Sequence, residues 1–340
     1  MKANENDRDS LHEQQTPDAK RSIDAKSGSL SVKKQRTLGG TGLQISEIGF
    51  GGCAIGGSLN GTWGYGPTND NESLAALQKA LDLGCTFFDT ADTYGSGHSE
   101  HLLGRILQGS VRSRVVVATK VGYVPGCGTH DFSARYLQQA VERSLLRLNT
   151  PYIDILQLHN PPPEILRNPE LINAVDSIKR SGSARHVGVS VLHHNHLSAC
   201  LDAGWVETVQ VRYNLLDLDA KQSLHKAAEA GLGVIAREPL ANGCLCGIRN
   251  ADCVFASNDF RSLWSKRGLL KVYDQAEQIK KTVPTGQSLA RHAIASVLEE
   301  SSVSVVIVGC KTVEQVRENF GDASWTGGVL PPKPQFPTTS

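Results

Sequence analysis

Four polar residues of different chemical types follow apolar segments of this sequence, at intervals that indicate a shared site. Asp89, Lys120 and His159 each end a short apolar run, and Tyr94 comes five positions after Asp89. A buried lysine is costly without a carboxylate partner, and Asp89 would supply one. The ammonium would favour the phenolate of a neighbouring tyrosine and lower its pKa from about 10. Such a phenol could donate a proton near neutral pH, and a neutral imidazole could orient a carbonyl oxygen against it.

Each of these residues has an ordinary structural explanation when taken alone. An Asp after a strand commonly caps a helix or forms a turn, and a Tyr in a glycine-rich loop commonly packs the loop. The four occur together in three consecutive strand–helix units, which the ordinary explanations do not account for. We therefore interpret them as a catalytic set.

Predicted strands and helices alternate between about residue 36 and residue 330. They must bring the four polar residues together. Leu74, Leu77, Ala80 and Leu81 lie on one face of a helix, as amphipathic helices require. The predicted strands are Ile45–Gly51, Thr86–Asp89, Val115–Lys120, Ile153–His159, His186–Ser190, Thr208–Tyr213, Gly233–Arg237 and Val303–Val308. The predicted helices are Asn71–Leu83, Ser99–Leu107, Ala134–Leu148, Pro169–Arg180, His194–Ala203, Ala220–Ala230, Leu269–Lys280, Ser288–Glu299 and Val313–Phe320.

This alternation predicts an α/β protein with a parallel sheet. Eight strand–helix units favour a (β/α)8 TIM barrel, which has about 250 residues plus insertions. A doubly wound sheet would carry a phosphate-binding glycine fingerprint after its first strand, and the candidates beginning at Gly40 and Gly49 lack its third glycine. In a barrel the chemistry lies at the carboxyl ends of the strands, where the four polar residues fall.

Composition limits the classes of function. The chain has 340 residues, 35 Lys+Arg against 34 Asp+Glu, and no apolar run long enough to cross a membrane, so we expect neither nucleic-acid nor membrane binding. Its 8 cysteines have no zinc spacing, which predicts reduced thiols, no metal site and a cytoplasmic protein. Residues 1–35 are polar and predict a disordered tail, residues 36–330 form the barrel, and residues 331–340 form a second tail.

A longer motif surrounds the first two of the four polar residues. The segment Phe87–Gly95 reads Phe-Phe-Asp-Thr-Ala-Asp-Thr-Tyr-Gly and is followed by Ser99-Glu100 and Leu103-Gly104. It resembles the signature of the aldo-keto reductase family, and the segments ending at Lys120 and His159 are similar to the lysine and histidine segments of that family. The resemblance covers about residues 36–320.

The resemblance implies a reaction and a role for each residue of the set. Members reduce an aldehyde or ketone to an alcohol, or catalyse the reverse, with hydride from a nicotinamide. Tyr94 would then be the acid/base, Lys120 and Asp89 would tune it, and His159 would position the carbonyl. The family fold also has an N-terminal β-hairpin on the barrel floor, here Lys34–Leu38 and Leu43–Ser46, together with extra loops and helices.

The resemblance also assigns a cofactor site along the later strands. Ser190 and Gln210 would bind the carboxamide, while Arg237 would stack on the nicotinamide or hold the pyrophosphate. The remaining expected contacts are Pro239, Leu240, Gly309, Lys311, Gln315, Glu318 and Asn319. The helix after the last strand suits a phosphate at its N-terminus, and Lys311 could pair with a 2′-phosphate. We therefore expect NADPH (NADP), with NAD as the alternative.

Three functions stay open at this point. The first is a reductase or dehydrogenase for a small-molecule carbonyl or alcohol, with an unknown oligomeric state. The second is a non-catalytic, cofactor-sensing regulatory subunit, as the potassium-channel β-subunits of this family suggest. The third, a phosphate-binding isomerase barrel, would leave the four polar residues unexplained. The sequence does not identify the physiological substrate.

Overall fold

Eight parallel strands close into a barrel in the computed structural model, which describes residues 34–58 and 64–321. The strand order β10-β3-β4-β5-β6-β7-β8-β9 confirms the predicted (β/α)8 fold. The barrel strands are β3 Ile48–Gly51, β4 Phe87–Asp89, β5 Val116–Val121, β6 Ile153–His159, β7 Ala184–Ser190, β8 Thr208–Arg212, β9 Gly233–Arg237 and β10 Val305–Val308. The predicted tails, 1–35 and 331–340, lie almost entirely outside the described residues, and Gln35 already belongs to a strand.

An antiparallel hairpin of β1 (Gln35–Thr37) and β2 (Gln44–Ser46) closes the floor of the barrel, as expected. Leu38 and Ile45 are fully buried and pack against the barrel interior. Gly39 has a positive φ of 50°, and a Cβ there would lie 2.3 Å from the backbone nitrogen of Gly233, so no larger residue fits. The sequence predicted one strand over Ile45–Gly51. The structure divides it at Glu47 into β2 of the hairpin and β3 of the barrel.

Glu47 makes this corner through its two backbone groups. Its N–H donates to the carbonyl of Lys34 in the hairpin, and its own carbonyl accepts from Val306 in the barrel, both at 2.9 Å. Its buried carboxylate pairs with Arg36 at 3.1 Å. One residue therefore belongs to two sheets, which the strand periodicity could not reveal.

Helices surround the barrel and bury an apolar face against the strands. They are α1 Cys53–Gly56, α2 Asp70–Asp82, α3 His98–Ile106, α4 Ala134–Leu148, α5 Pro169–Arg180, α6 Leu197–Ala203, α7 Lys221–Glu229, α8 Lys266–Lys280, α9 Leu289–Leu298 and α10 Val313–Phe320. Several begin at side-chain caps, such as Ser133 before α4 and Thr312 before α10. The predicted helix at 194–203 begins instead with a 3-10 turn, His194–His196. No helix of the described residues is long and apolar enough to span a bilayer.

Alternation along the strands divides the barrel interior into two levels. Val187, Val189, Val209 and Val211 face outward into the cluster shared with the helices. Phe87, Val116, Ala118, Ile155, Ile235, Val305 and Ile307 face inward and form an apolar plug with the hairpin. Because side chains alternate with a period of two, the next inward positions toward the carboxyl ends carry the polar residues Asp89, Lys120, Gln157, His159, Ser190 and Gln210.

Candidate active site

The predicted acid/base residue lies beside a buried ion pair. The ammonium of Lys120, fully buried, donates to Asp89 Oδ1 at 2.5 Å, to the carbonyl of Thr90 at 3.0 Å and to the phenolic oxygen of Tyr94 at 3.1 Å. All three of its N–H donors are therefore used. The structure thus brings together three of the four residues that the sequence analysis proposed, with the lysine at their centre.

The loop that carries Tyr94 rests on a second buried ion pair. Glu100, fully buried at the start of α3, accepts from Thr119 Oγ1 on β5 and from Arg147 Nε on α4, both at 2.6 Å. The Arg147 side chain also packs on Gly97, where a Cβ would lie 2.4 Å from Nε. This arrangement ties the β4–α3 loop to two neighbouring elements and holds the phenol at the strand ends.

The pKa of Tyr94 differs in direction from the sequence-based expectation. Burial raises this pKa well above its usual value, and the electrostatic effects of Cys53 and Asp89 act in the same direction, whereas Arg237 opposes them. The expected lowering by Lys120 does not dominate, because the ammonium is paired with Asp89 at 2.5 Å and desolvation of the phenol is the largest effect. Tyr94 is consequently a neutral phenol at neutral pH, which is the form that can donate a proton.

The ring of His159 lies near the ring of Tyr94. The two ring centroids are 6.0 Å apart and the ring planes are nearly perpendicular. Burial lowers the pKa of His159 well below its usual value, and the charges of Lys120 and Arg237 lower it further. The imidazole is therefore neutral, as the sequence analysis expected, and its Nδ1 has no hydrogen-bond partner among the described residues.

A cavity of about 1830 Å³ opens at the carboxyl ends of the strands. It is lined by Asp89, Tyr94 and His159, while Lys120 lies beneath them and does not reach its surface. Every residue predicted to contact the cofactor lines the same cavity: Ser190, Gln210, Arg237, Pro239, Leu240, Gly309, Lys311, Gln315, Glu318 and Asn319. The structure thus places all of them around one continuous space that extends from Tyr94 to α10.

Sequence reasoning missed one residue at the base of this cavity, Gln157. Its Nε2 donates to Asp89 Oδ2 at 3.0 Å, and its Oε1 accepts from Gln210 Nε2 at 3.2 Å. Gln210 Nε2 also donates to Asp89 Oδ2 at 2.7 Å. A signal was present in the sequence, since Gln157 is two positions before His159 on the same strand and must face the same side.

Two aromatic side chains that the sequence analysis did not select form a wall beside His159. Tyr123 lies 5.8 Å from the His159 ring and 4.8 Å from the His130 ring, measured between centroids. Tyr123 and His130 pair across a short antiparallel bridge after β5, and both line the cavity.

The predicted nicotinamide-stacking residue, Arg237, is held by protein groups. Its guanidinium pairs with Glu238 and donates to the carbonyl of Val191 at 3.2 Å. Glu238 has a positive φ of 59° and also accepts from Asn242 Nδ2 at 3.2 Å. The chain thus turns sharply at the end of β9, and this turn directs Arg237 and Pro239 into the cavity wall.

Lys311 has protein partners at the far end of the cavity. Its ammonium donates to the carbonyls of Tyr65 at 2.7 Å and Pro67 at 2.8 Å, in the loop after β3. The Tyr65 hydroxyl in turn donates to Asn242 Oδ1 at 2.7 Å, in the loop after β9. The loops after β3, β9 and β10 are therefore linked across the mouth of the cavity.

The polar side chains of α10 also have neighbours. Gln315 Oε1 accepts from the backbone N–H of Lys311 at 2.7 Å, and Asn319 Nδ2 donates to Cys310 Sγ at 3.3 Å. Glu318 accepts from the Ser288 hydroxyl at the start of α9. These contacts fix the three side chains of α10 that were expected to contact the cofactor.

Comparisons with known proteins agree with this arrangement. L-galactose dehydrogenase of Arabidopsis thaliana is 32% identical over 84% of this chain and 86% of its own. The NADH-specific methylglyoxal reductase of Escherichia coli is 29% identical over 84% and 92%, and a putative voltage-gated potassium channel subunit beta of Schizosaccharomyces pombe is 29% identical over 87% and 90%. Among solved structures, the holo form of an aldo-keto reductase from Bacillus halodurans matches with a TM-score of 0.69, 28% identity and coverage of 85% and 90%.

The family model described as "Aldo/keto reductase family" matches residues 47–325, which is most of the chain. This range contains the closed barrel, the Lys120–Asp89–Tyr94 contacts and the cavity above them. Together these observations show that the chain is an oxidoreductase that belongs to the aldo/keto reductase family.

Proposed function

We propose that this protein catalyses the NAD(P)H-dependent reduction of a small aldehyde or ketone to an alcohol, and the reverse oxidation, with Tyr94 as the proton donor. The observation that carries this proposal is the contact of Lys120 Nζ with both Tyr94 Oη and Asp89 Oδ1. A phenol beside a buried ammonium can release a proton and keep the resulting negative charge stabilised.

The chain contributes a proton and a charge environment to the reaction. A reduced nicotinamide, when bound, supplies the hydride that goes to the carbonyl carbon. The Tyr94 hydroxyl gives its proton to the carbonyl oxygen, so that the carbonyl is reduced while the cofactor is oxidised. The phenolate left on Tyr94 accepts a hydrogen bond from Lys120 at 3.1 Å and regains a proton from water.

His159 is proposed to orient the carbonyl oxygen. The burial that lowers its pKa keeps the imidazole neutral, so one ring nitrogen donates a hydrogen bond without competing as an acid. Its ring lies 6.0 Å from that of Tyr94, measured between centroids, and both side chains line the cavity. A carbonyl oxygen there can accept from the phenol and from the imidazole together.

The cavity suits a nicotinamide dinucleotide in size and in polar lining. Gln210 Oε1 is buried without a partner among the described residues, and Gln210 lines the cavity, so a carboxamide N–H₂ would satisfy this acceptor. Ser190, paired in register with Gln210, would be its neighbour in that contact. Arg237 would face the anionic or aromatic part of the cofactor, with Pro239 and Leu240 against its apolar surface.

We propose that the cofactor is NADPH, with Lys311 contributing to the preference. An ammonium has three N–H donors, and two of those on Lys311 bind the carbonyls of Tyr65 and Pro67. The third has no partner among the described residues and would bind a 2′-phosphate on the adenosine ribose, next to Gln315, Glu318 and Asn319. The relative described as NADH-specific makes NADH the alternative to test.

The substrate is proposed to be a small oxygenated compound. The relatives are described as an L-galactose dehydrogenase and a methylglyoxal reductase, whose names denote a sugar and a dicarbonyl compound. Tyr123, His130, Asn160 and Arg212 line the cavity and offer hydrogen bonds to hydroxyl groups. Sugars, hydroxyaldehydes and dicarbonyls therefore belong in the substrate panel beside nitrobenzaldehyde and phenanthrenequinone.

The test is to follow NADPH and NADH consumption with this panel, in the wild type and in Tyr94→Phe. Loss of a positioned general acid costs about 10²–10⁴ in rate, so the variant should lose reduction while binding the cofactor as before. The proposal is wrong if Tyr94→Phe keeps more than about a tenth of wild-type turnover with chemistry rate-limiting. Binding of either cofactor without turnover of any substrate would favour the regulatory alternative, to which the potassium-channel relative points.

A further inference from the structure

We propose that Gln157 is a positioning residue that locks the amide of Gln210, so that the Gln210 oxygen is presented to the carboxamide N–H₂ of the cofactor. This inference rests on the proposed function, since it concerns how a nicotinamide is recognised. It follows from counting donors and acceptors in one buried cluster of four side chains: Asp89, Lys120, Gln157 and Gln210.

The carboxylate of Asp89 fixes the orientation of both glutamine amides. A carboxylate only accepts hydrogen bonds, and Oδ1 accepts from Lys120 while Oδ2 accepts from Gln157 Nε2 at 3.0 Å and from Gln210 Nε2 at 2.7 Å. Both glutamines must therefore present their N–H₂ groups to Asp89. A reversed amide would place an oxygen against a carboxylate oxygen, which is repulsive.

The second N–H of Gln210 also binds within the cluster. An amide nitrogen has two N–H donors; one binds Asp89, and the other binds Gln157 Oε1 at 3.2 Å. Both donors of Gln210 are thus used within the cluster. Only its Oε1 is left, and this atom is buried with no hydrogen-bond partner among the described residues.

An orphaned buried acceptor costs free energy unless a ligand satisfies it. Gln210 lines the large cavity, so the ligand that satisfies it must carry a hydrogen-bond donor. The carboxamide of nicotinamide has such a donor in its N–H₂ group. The cluster therefore selects for the amino half of the carboxamide.

The fold makes the contact between the two glutamines possible. They belong to β6 and β8, which are separated by β7. At the level of Gln157, β7 contributes Gly188, which is its partner in register. Because Val187 and Val189 face outward, Gly188 faces inward, and a Cβ there would lie 2.1 Å from Thr208 Oγ1, so β7 carries no side chain at this level.

The prediction is that Gln157 controls discrimination between cofactors that differ only in the carboxamide. The acetylpyridine analogue of NADP⁺ has a methyl group in place of the amino group. Wild-type protein should bind NADP⁺ about 5- to 10-fold more tightly than this analogue, as expected for one hydrogen bond to a buried acceptor. In Gln157→Leu, the Gln210 amide keeps its hydrogen bond to Asp89 and loses the one to Gln157 Oε1, so it is held less firmly and the ratio of the two dissociation constants should fall below the wild-type value.

The measurement is fluorescence titration of both ligands, without any substrate or turnover. Gln287→Leu is the matched control, because Gln287 lines the same cavity near Ser288 and should change both affinities by the same factor. Gln210→Leu should abolish the discrimination by itself, and adding Gln157→Leu to it should have no further effect on the ratio. Gln157→Met, which keeps the unbranched shape, replaces Gln157→Leu if the latter does not fold.

Two results would overturn the proposal. One is a wild-type protein that binds NADP⁺ and its acetylpyridine analogue equally well; the other is a folded Gln157 variant that keeps the wild-type ratio. Either can occur in an active reductase, so neither would affect the proposed function. A protein that fails to bind any nicotinamide dinucleotide would refute both proposals.

Discussion

Lys120 Nζ lies 3.1 Å from the phenolic oxygen of Tyr94, yet the pKa of Tyr94 is raised and not lowered. The same ammonium is 2.5 Å from Asp89 Oδ1, and the negative charge of this carboxylate offsets the effect of the ammonium on the phenol. Burial then determines the direction of the shift. In our proposal, this balance keeps the proton on Tyr94 until a developing alkoxide draws it away.

Replacing Lys120 with methionine should move the pH dependence of alcohol oxidation to higher pH. Oxidation needs the phenolate as a base, and the variant lacks the cation that favours this form while Asp89 still disfavours it. The pKa of Tyr94 should therefore rise further, and turnover at neutral pH should fall by roughly 10²-fold or more. An unchanged pH–rate profile in Lys120→Met would contradict the assignment.

The same change should destabilise the fold, because it leaves Asp89 buried without its partner. Removing one member of a buried ion pair typically costs about 3–5 kcal/mol. The double variant Lys120→Met/Asp89→Asn should recover much of this loss in urea unfolding but should remain inactive. Recovery of activity in the double variant would show that the pair is only structural.

Lys311→Met should weaken binding of NADPH more than binding of NADH. A phosphate that loses a hydrogen bond to a charged group loses about 1.5–3 kcal/mol, which is roughly a 10- to 100-fold change in affinity. Part of the effect should be common to both cofactors, since Lys311 also holds the carbonyls of Tyr65 and Pro67. Lys280→Met, at another lysine that lines the cavity, is the comparison. Equal losses for NADPH and NADH would restrict Lys311 to anchoring the loop.

Arg147→Met should lower stability and activity together. The variant leaves Glu100 fully buried without its ion-pair partner, and we expect a loss of about 3 kcal/mol in the free energy of unfolding. Because Gly97 and Glu100 hold the end of the loop that carries Tyr94, kcat should fall even where the protein is fully folded. Arg143→Met, on the same helix, is the control. If kcat is unchanged in folded Arg147→Met, the ion pair does not position the phenol.

His292 should make the fold sensitive to acid. It is 2% exposed, both ring nitrogens lack partners among the described residues, and burial lowers its pKa below the usual 6.5. The unfolded chain therefore takes up a proton at a higher pH than the native chain does. The stabilising contribution of the neutral ring is complete above about pH 7 and is lost as the pH falls through the lowered pKa, by at most about 1.4 kcal/mol per pH unit.

The measurement is the melting temperature of the wild type and His292→Leu between about pH 7.5 and about pH 5. The variant should lose less stability over this range than the wild type. His101→Leu, at an exposed histidine of α3, should follow the wild-type curve. Parallel curves for wild type and His292→Leu would remove His292 as the cause of acid sensitivity.

Much of the site was predictable from the sequence because strand periodicity is a local property. A residue at the end of an apolar strand must reach the carboxyl mouth of a barrel, and this rule alone located Asp89, Lys120 and His159. The motif around Tyr94 and the helix after the last strand were assigned to the two ends of the site through the resemblance to the aldo-keto reductase family. The floor hairpin was expected from the resemblance to the aldo-keto reductase family.

Other features depended on contacts between distant segments, which no local pattern encodes. The amides of Gln157 and Gln210 meet across β7, and the ammonium of Lys311 reaches carbonyls 246 and 244 positions earlier in the chain. The wall formed by Tyr123 and His130 depends on a short hairpin that propensity does not predict. The direction of the Tyr94 pKa was also beyond the sequence, because desolvation depends on everything that surrounds the phenol. The sequence by itself determined which chemical groups reach the mouth of the barrel, and the tertiary structure decided their partners and charge states.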